Sequence, residues 1–408
     1  MSEIVIAGMA RTPIGSFQGA FSGVPATALG AAAIREAVAR SGAAPESIEE
    51  ALMGCVLPAG LGQAPARQAA LGAGLAVSTG CVTVNKVCGS GMKTVMMAHD
   101  AIAAGTADTI VAGGMESMTG APHLLLTGRA GIKYGHGQIF DHMAYDGLED
   151  PYNKHAAMGI FAEKCAREWQ FSRAEQDEYA IRSVTRAQDS IKGGKFAAEI
   201  APYEVETRKG PVTVADDEKP GTVDAAKIPS LKAAFEKDGT VTAGSSSAIS
   251  DGAAALVIQR GSKAPKAIAR IVAHATHAQE PEWFTTAPVD SIRRVLDKAG
   301  WSVKDVDLFE INEAFAVVPM AAMRELKIPA EKVNINGGAI ALGHPIGASG
   351  ARIIVTLLNA LKQTGGPVLL SGHVAAAWFQ SDCRFWRRLF RGGQSIVWNV
   401  LIFGAAVT

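Results

Sequence analysis

The chain carries one pattern twice. A helical stretch from Ala26 to Ser41, with Ile34-Arg35 near its middle, ends at Gly42 and leads into an apolar strand near Ile48. Ile292-Arg293, Gly300 and Val306 repeat that order at a common offset of 258 residues. The same offset carries Gly91, in one glycine-rich loop, to Ser349, beside Gly350 in a second. The residue-by-residue match is modest. The shared order of helix, glycine stop, strand, glycine loop and helix is more telling. It predicts a pseudo-symmetric pair of α/β units with a ligand site between them. At 408 residues the chain is long enough for two such units with full cores.

In the first half, strands Ile4–Ala7, Glu50–Val56, Cys81–Val84 and Asp108–Gly113 alternate with helices Ala26–Ser41, Arg67–Leu75 and one after Cys88. That rhythm predicts a mostly parallel sheet covered on both faces. Arg11-Thr12-Pro13-Ile14-Gly15 reads as a turn open to the substrate side. From about Glu116 to Gly244 the rhythm breaks into charged segments with interruptions such as Tyr134-Gly135-His136-Gly137. One long helical pattern there, Gly159 to Lys192, is opened by Met158 and contains a capping box, Ser172 to Glu175. The segment reads as an inserted, mainly helical loop domain. The expected divisions are 1–116, 117–246, 247–371 (with 247–265 also assignable to the first half) and a tail, 372–408.

The stretch Asn85-Lys86-Val87-Cys88-Gly89-Ser90-Gly91-Met92-Lys93 carries the chemistry. It puts Cys88 on a strand-to-helix turn. Met92, Val95, Met96, His99 and Ile102 then follow at helical spacing. Glycines permit a sharp bend and close approach of a ligand. A helix amino end carries unpaired N–H groups and partial positive charge, which lower a thiol pKa and favour the nucleophilic thiolate. His344 lies in the second glycine loop, Gly337 to Gly350, in a position equivalent to Cys88. That loop lacks the lysine of a phosphate-binding loop. A cysteine nucleophile needs a base, and His344 suits it. Asn312, at the end of an apolar strand from Val306 to Ile311, offers an amide to a water or a carbonyl oxygen, or else caps the following helix.

Acids and bases balance at zero net charge, which leaves no nucleic-acid footprint. Five scattered cysteines form neither a disulfide framework nor a metal-ligand pattern, so a reducing, cytoplasmic setting is expected. No membrane span or signal peptide is legible.

Four blocks together resemble the thiolases, in particular the acetyl-CoA acetyltransferases. They are Asn85 to Gly91, Gly113-Gly114-Met115-Glu116-Ser117-Met118, Asn312-Glu313-Ala314-Phe315-Ala316 and Gly343 to Gly350. The resemblance covers residues 1 to about 371. It implies two βαβαβαββ halves in α-β-α-β-α layers with an inserted loop domain, and condensation of two acetyl-CoA or the reverse thiolysis. Cys88 would take the acyl group. His344 would activate it and help hold the thioester oxygen. Asn312 would hold a water in a second oxyanion site. Ser247, in Val241 to Ser247, resembles the pantetheine-contacting serine, and Leu148, Met158 and Phe315 resemble apolar contacts of the acyl-pantetheine arm. Ala157 departs from the pattern, where these enzymes often carry histidine. Coenzyme A thioesters enter as substrates, with no separate cofactor or metal. The family also implies a homo-oligomer, dimer or tetramer. A ketoacyl synthase would pair its cysteine with two histidines, and the Asn312 block argues against that.

The tail departs from the family. Thiolases carry a second cysteine, in Cys-x-Gly, shortly after a last apolar strand. The strand Pro367-Val368-Leu369-Leu370-Ser371 is present, but Gly372-His373-Val374-Ala375-Ala376-Ala377 follows it. Shifted glycine codons in GC-rich DNA encode alanine, so a change of reading frame near Ser371 is expected. Cys383, between Asp382 and Arg384, lacks the glycine context of the family's base. A catalytically silent acyl-CoA- or lipid-binding protein of this fold is the alternative reading.

Overall fold

The computed structural model describes residues 3–364 in full and the backbone of Val374–Ala375 and Trp398–Ala406. The first half runs β1 (Ile4–Arg11), α1 (Ala26–Ser41), β2 (Glu50–Gly54), α2 (Pro65–Gly72), β3 (Gly80–Val84), α3 (Ser90–Ala104) and β4 (Thr109–Ser117). The insertion holds α4 (Met158–Glu168), α5 (Arg173–Lys192) and a hairpin of β5 (Tyr203–Thr207) and β6 (Gly210–Val214). Then follow β7 (Ser250–Arg260), β8 (Ala269–Ala278), α6 (Ala287–Ala299), α7 (Val317–Leu326), α8 (Ile346–Thr364), β9 (Val374–Ala375) and β10 (Trp398–Ala406).

The main sheet has the order β9-β10-β8-β1-β7-β4-β2-β3. Pairing is parallel among β4, β2 and β3 but antiparallel where β7 lies between β1 and β4. The sheet is therefore mixed, because β7 closes the first half from beyond the insertion. Its side chains alternate as the pleat requires. Ile110, Leu256 and Ile258 face α3 and α8, while Val111, Ala255 and Val257 face α1 and α2. Helices α3 and α8 thus form a middle layer, their Met92, Val95, Ile353 and Leu357 sharing one core. On the far side, α6 packs on β8.

The repeated glycine stops are real caps. Gly42 (φ +74°) ends α1 and Gly300 (φ +71°) ends α6, both left-handed. Three expectations change. The pattern from Gly159 to Lys192 is two helices, because the Ser172 capping box is an N-terminal signal and starts α5 afresh. Among the described residues Val306 to Ile311 makes one bridge, Phe309 to Val333, and no strand; the expected strand Pro367 to Ser371 lies outside the described residues, as does Cys383. Arg11 is fully buried within β1, not open to substrate. Its guanidinium pairs with Glu199 at 2.5 Å and grips both Asp217 oxygens at 2.7 and 2.9 Å. Only such pairing tolerates a buried cation.

The halves also differ at their first strands. The β1 neighbour β7 runs antiparallel to it, whereas the β8 neighbour β10 runs parallel. Among the described residues no helix is long and apolar enough to cross a membrane.

Candidate active site

Cys88 sits between β3 and α3 on a turn stitched by side chains. Asn85 Oδ1 accepts the Val87 N–H at 3.0 Å. Ser90 Oγ accepts the Lys86 N–H at 2.7 Å and donates to the Val87 carbonyl at 2.6 Å. The left-handed residue is Val87, at φ +45°, a conformation that strains a β-branched side chain. Gly89 has an ordinary φ of −85°. The glycine requirement lies instead at Gly91, where a Cβ would stand 2.8 Å from Ala351 N and 3.0 Å from Gly347 O. Backbone meets backbone there, so the amino ends of α3 and α8 converge.

That contact delivers His344 to Cys88. Gly343, at φ +112°, makes the turn a side chain would resist. The His344 ring then places Nε2 3.1 Å from Cys88 Sγ and Nδ1 2.6 Å from Ser349 Oγ. Ser349 Oγ donates to the Pro345 carbonyl at 3.0 Å. Its single proton is thereby used, so it accepts from Nδ1–H, and the lone pair of His344 lies on Nε2, facing the sulfur. Asn312 Nδ2 reaches the same Nε2 at 3.4 Å.

Asn312 is fully buried and caps no helix; α7 begins at Val317 with Ala316 as its N-cap. Its loop is clamped from both sides. Asn334 accepts the Ile311 N–H at 2.6 Å and donates to the Ile311 carbonyl at 2.8 Å. The buried Glu313 carboxylate accepts from Tyr179 (2.9 Å), Ser183 (2.7 Å), Asn334 (2.7 Å) and the Ile340 N–H (3.0 Å). Among the described residues Asn312 Oδ1 is a buried acceptor with no hydrogen-bond partner.

The profile of the thiolase N-terminal domain matches residues 4–262, and that of the thiolase C-terminal domain matches 265–377. The chain is a member of the thiolase family. Acetyl-CoA acetyltransferase 2 of Arabidopsis thaliana is 50% identical over 377 residues, covering 91% of this chain and 93% of the relative. Acetyl-CoA acetyltransferase of Pseudomonas aeruginosa is 47% identical over 368 residues, covering 88% and 93%. The crystal structure of the Acat5 thiolase from Ascaris suum, in complex with coenzyme A, superposes with a TM-score of 0.85 at 40% identity, covering 92% of this chain and 96% of that one.

In this thiolase the thiol is not lowered by its helix end. Burial pushes the Cys88 pKa up to about 12, and the nearby Glu116 charge adds to the rise. Desolvation outweighs the favourable backbone N–H here, so the resting sulfur is a thiol whose proton must be taken by a neighbour.

The other candidate residues fall into groups. Leu148 shares an apolar cluster with Cys88, Met143 and Ile346. Ser247 is tied to the Asn312 block, its N–H bonded to the Ala314 carbonyl at 2.9 Å, and the adjoining Ala248 carbonyl accepts the His344 N–H at 3.0 Å. Met158 and Phe315 pack in the larger core instead, where the Phe315 ring meets Phe235 edge-on at 5.8 Å.

Ser349 and Glu116 lie in the family-like blocks, but neither received a role from the sequence. Glu116 is fully buried at the end of β4, an acid closing an apolar strand. Its two oxygens accept N–H groups of Val56 (3.0 Å), Leu57 (3.1 Å) and Gly347 (2.8 Å), binding the first half to the start of α8. Burial nevertheless pushes its pKa up to about 7. Glu116→Gln would turn an amide NH2 against these donors and is expected to cost roughly 1–3 kcal/mol of stability in urea unfolding. A carboxyl whose pKa is raised on folding binds protons more tightly in the native state. Stability therefore falls as pH rises from the ordinary carboxyl range through about 7. The glutamine variant is expected to lose that part of the slope.

Proposed function

We propose that this thiolase is an acetyl-CoA C-acetyltransferase, condensing two acetyl-CoA to acetoacetyl-CoA or running the reverse thiolysis. The observation carrying this reading is His344 Nε2 at 3.1 Å from Cys88 Sγ, with Nδ1 committed to Ser349. Cys88 passes its proton to Nε2, and the thiolate adds to the thioester carbonyl. The carbonyl then re-forms, the C–S bond to coenzyme A breaks, and the proton leaves with the coenzyme A sulfur. An acetyl-cysteine remains. Loss of the α-proton of a second acetyl-CoA gives an enolate, whose carbon attacks the acetyl-cysteine and releases Cys88. Donors aimed at the enolate oxygen stabilise its charge. The Asn312 amide, directly or through a water, and His344, once Nε2 has taken up a proton from solvent after the first coenzyme A departs, take that role. Ser247 and Leu148 line the approach of the pantetheine arm, with Met158 and Phe315 behind them. The base for the α-proton belongs to the Cys-x-Gly segment in this family, and the tail from residue 372 does not supply it. We assign acylation to this chain as it stands and slow turnover to its tail.

A homo-oligomer in the cytoplasm fits this role. β3 is the end strand of the sheet, with Val82 exposed on it, an edge open to pairing with a second copy.

Intact-mass detection of an acetyl group on Cys88 after mixing with acetyl-CoA, beside a thiolysis assay with acetoacetyl-CoA, tests the reading. Acetylation with slow thiolysis, restored by a Cys-x-Gly end, is expected. Asn312→Ala should acetylate normally but lose a further 10²–10³-fold, roughly, in turnover of the restored chain. Coenzyme A binding without acetylation of Cys88 would instead identify a silent carrier.

A further inference from the structure

Three ligating side chains meet away from the acyl-transfer site, where the last turns of α3 approach β8. His274 Nε2 lies 2.7 Å from Asp100 Oδ1, and His99 Nδ1 lies 3.3 Å from the same oxygen. The two imidazoles stand 5.0 Å apart, edge to face. All three donor atoms lie within 4.8 Å of one another, and among the described residues this is the one cluster of three or more His, Cys, Asp or Glu donors with that spacing. Asp100 and His274 are 174 residues apart, so folding brings them together. Nothing in the acyl-transfer chemistry uses them.

We propose that His99, Asp100 and His274 bind a divalent transition-metal ion, zinc by ligand preference, and so tie the middle helix layer to the second half. Two imidazoles and a carboxylate suit zinc and its neighbours in the first row better than magnesium or calcium. Tetrahedral bonds of about 2.0–2.1 Å put ligand atoms about 3.3 Å apart. The two separations from Asp100, 2.7 and 3.3 Å, lie near that spacing, and the two imidazole donors stand within 4.8 Å of each other. The site opens to solvent at Asp100, whose side chain is 57% exposed, which leaves a face for a water as fourth ligand.

The competing account is a hydrogen-bonded His-Asp-His cluster with no appetite for metal. Calorimetric titration of the full chain with zinc chloride separates the two, with accessible thiols first alkylated in every sample so that Cys88 does not compete. The expected result is one saturable site per chain, lost in a His99→Ala/His274→Ala double variant. Asp100→Asn preserves shape and hydrogen bonding, so it guards against a folding defect. It should bind at least about tenfold more weakly, since even partners one step removed from a metal cost about 10–100-fold. Acetylation of Cys88 in unalkylated variants should match the parent. Absence of a saturable site, or undiminished affinity in the double variant, would overturn the proposal.

Discussion

A Cys88→Ser chain is expected to accept an acetyl group from acetyl-CoA about 10⁴-fold more slowly than its parent, or worse, as when other nucleophile–base pairs lose their nucleophile. The substitution changes volume little, so folding should survive. The hydroxyl of serine is far harder to ionise than a thiol, and its oxygen is the poorer nucleophile. Rapid mixing followed by intact mass reads the acetylated fraction directly, independent of turnover. Acetylation of the variant at the parent rate would move the acyl group to another residue and dismantle the mechanism. Combining Cys88→Ser with His344→Ala should cost little beyond the first change, because the pair works as a unit.

His344→Ala should slow acetylation of Cys88 by roughly 10²–10⁴-fold, the usual contribution of a positioned base. Its pH dependence is the sharper reading. Burial holds the Cys88 thiol at about 12, so without an internal base the thiolate fraction grows with hydroxide. The variant's rate should climb about tenfold per pH unit across the neutral and alkaline range. The parent, whose proton acceptor is built in at 3.1 Å, should show a much shallower rise. Equal steepness in both chains would remove His344 from the proton transfer. Ser349→Ala should act in the same direction but more weakly, since it frees the ring to lose its tautomer without removing it.

Much of this site was legible because its parts are local. Cys88 and His344 each sit between a strand or loop and a helix, in blocks whose glycines mark the turn. The repeat places them in equivalent positions, and pseudo-symmetry is a statement about space. Asn312 was legible for the same reason, at an apolar stretch's end. Environment was not legible. The sequence shows a helix amino end at Cys88 and so predicts a lowered thiol pKa, but only packing shows that desolvation wins. Glu116 and Glu313 look like ordinary acids until Val56, Leu57 and Gly347, or Tyr179 and Ser183, are seen to surround them. The exposure expected of Arg11 failed because both its counter-ions are about 200 residues away, at Glu199 and Asp217. The separation of α4 from α5 was available in the Ser172 capping box, whose meaning as a start outweighs an unbroken apolar period.

The long reach of Arg11 bears on how the polypeptide is made. Its carboxylate partner Glu199 follows it by 188 residues, an interval of about 10–40 s at ordinary rates of synthesis. The neighbouring strand β7 begins only at Ser250. Throughout that interval Arg11 lacks both of the carboxylates that neutralise it in the fold, Glu199 and Asp217. Seating it alone would cost several kcal/mol, about 3–5 for a pair with one member missing. Strand β1 is therefore expected to be among the later elements to find its place, waiting in solvent for the insertion that completes it.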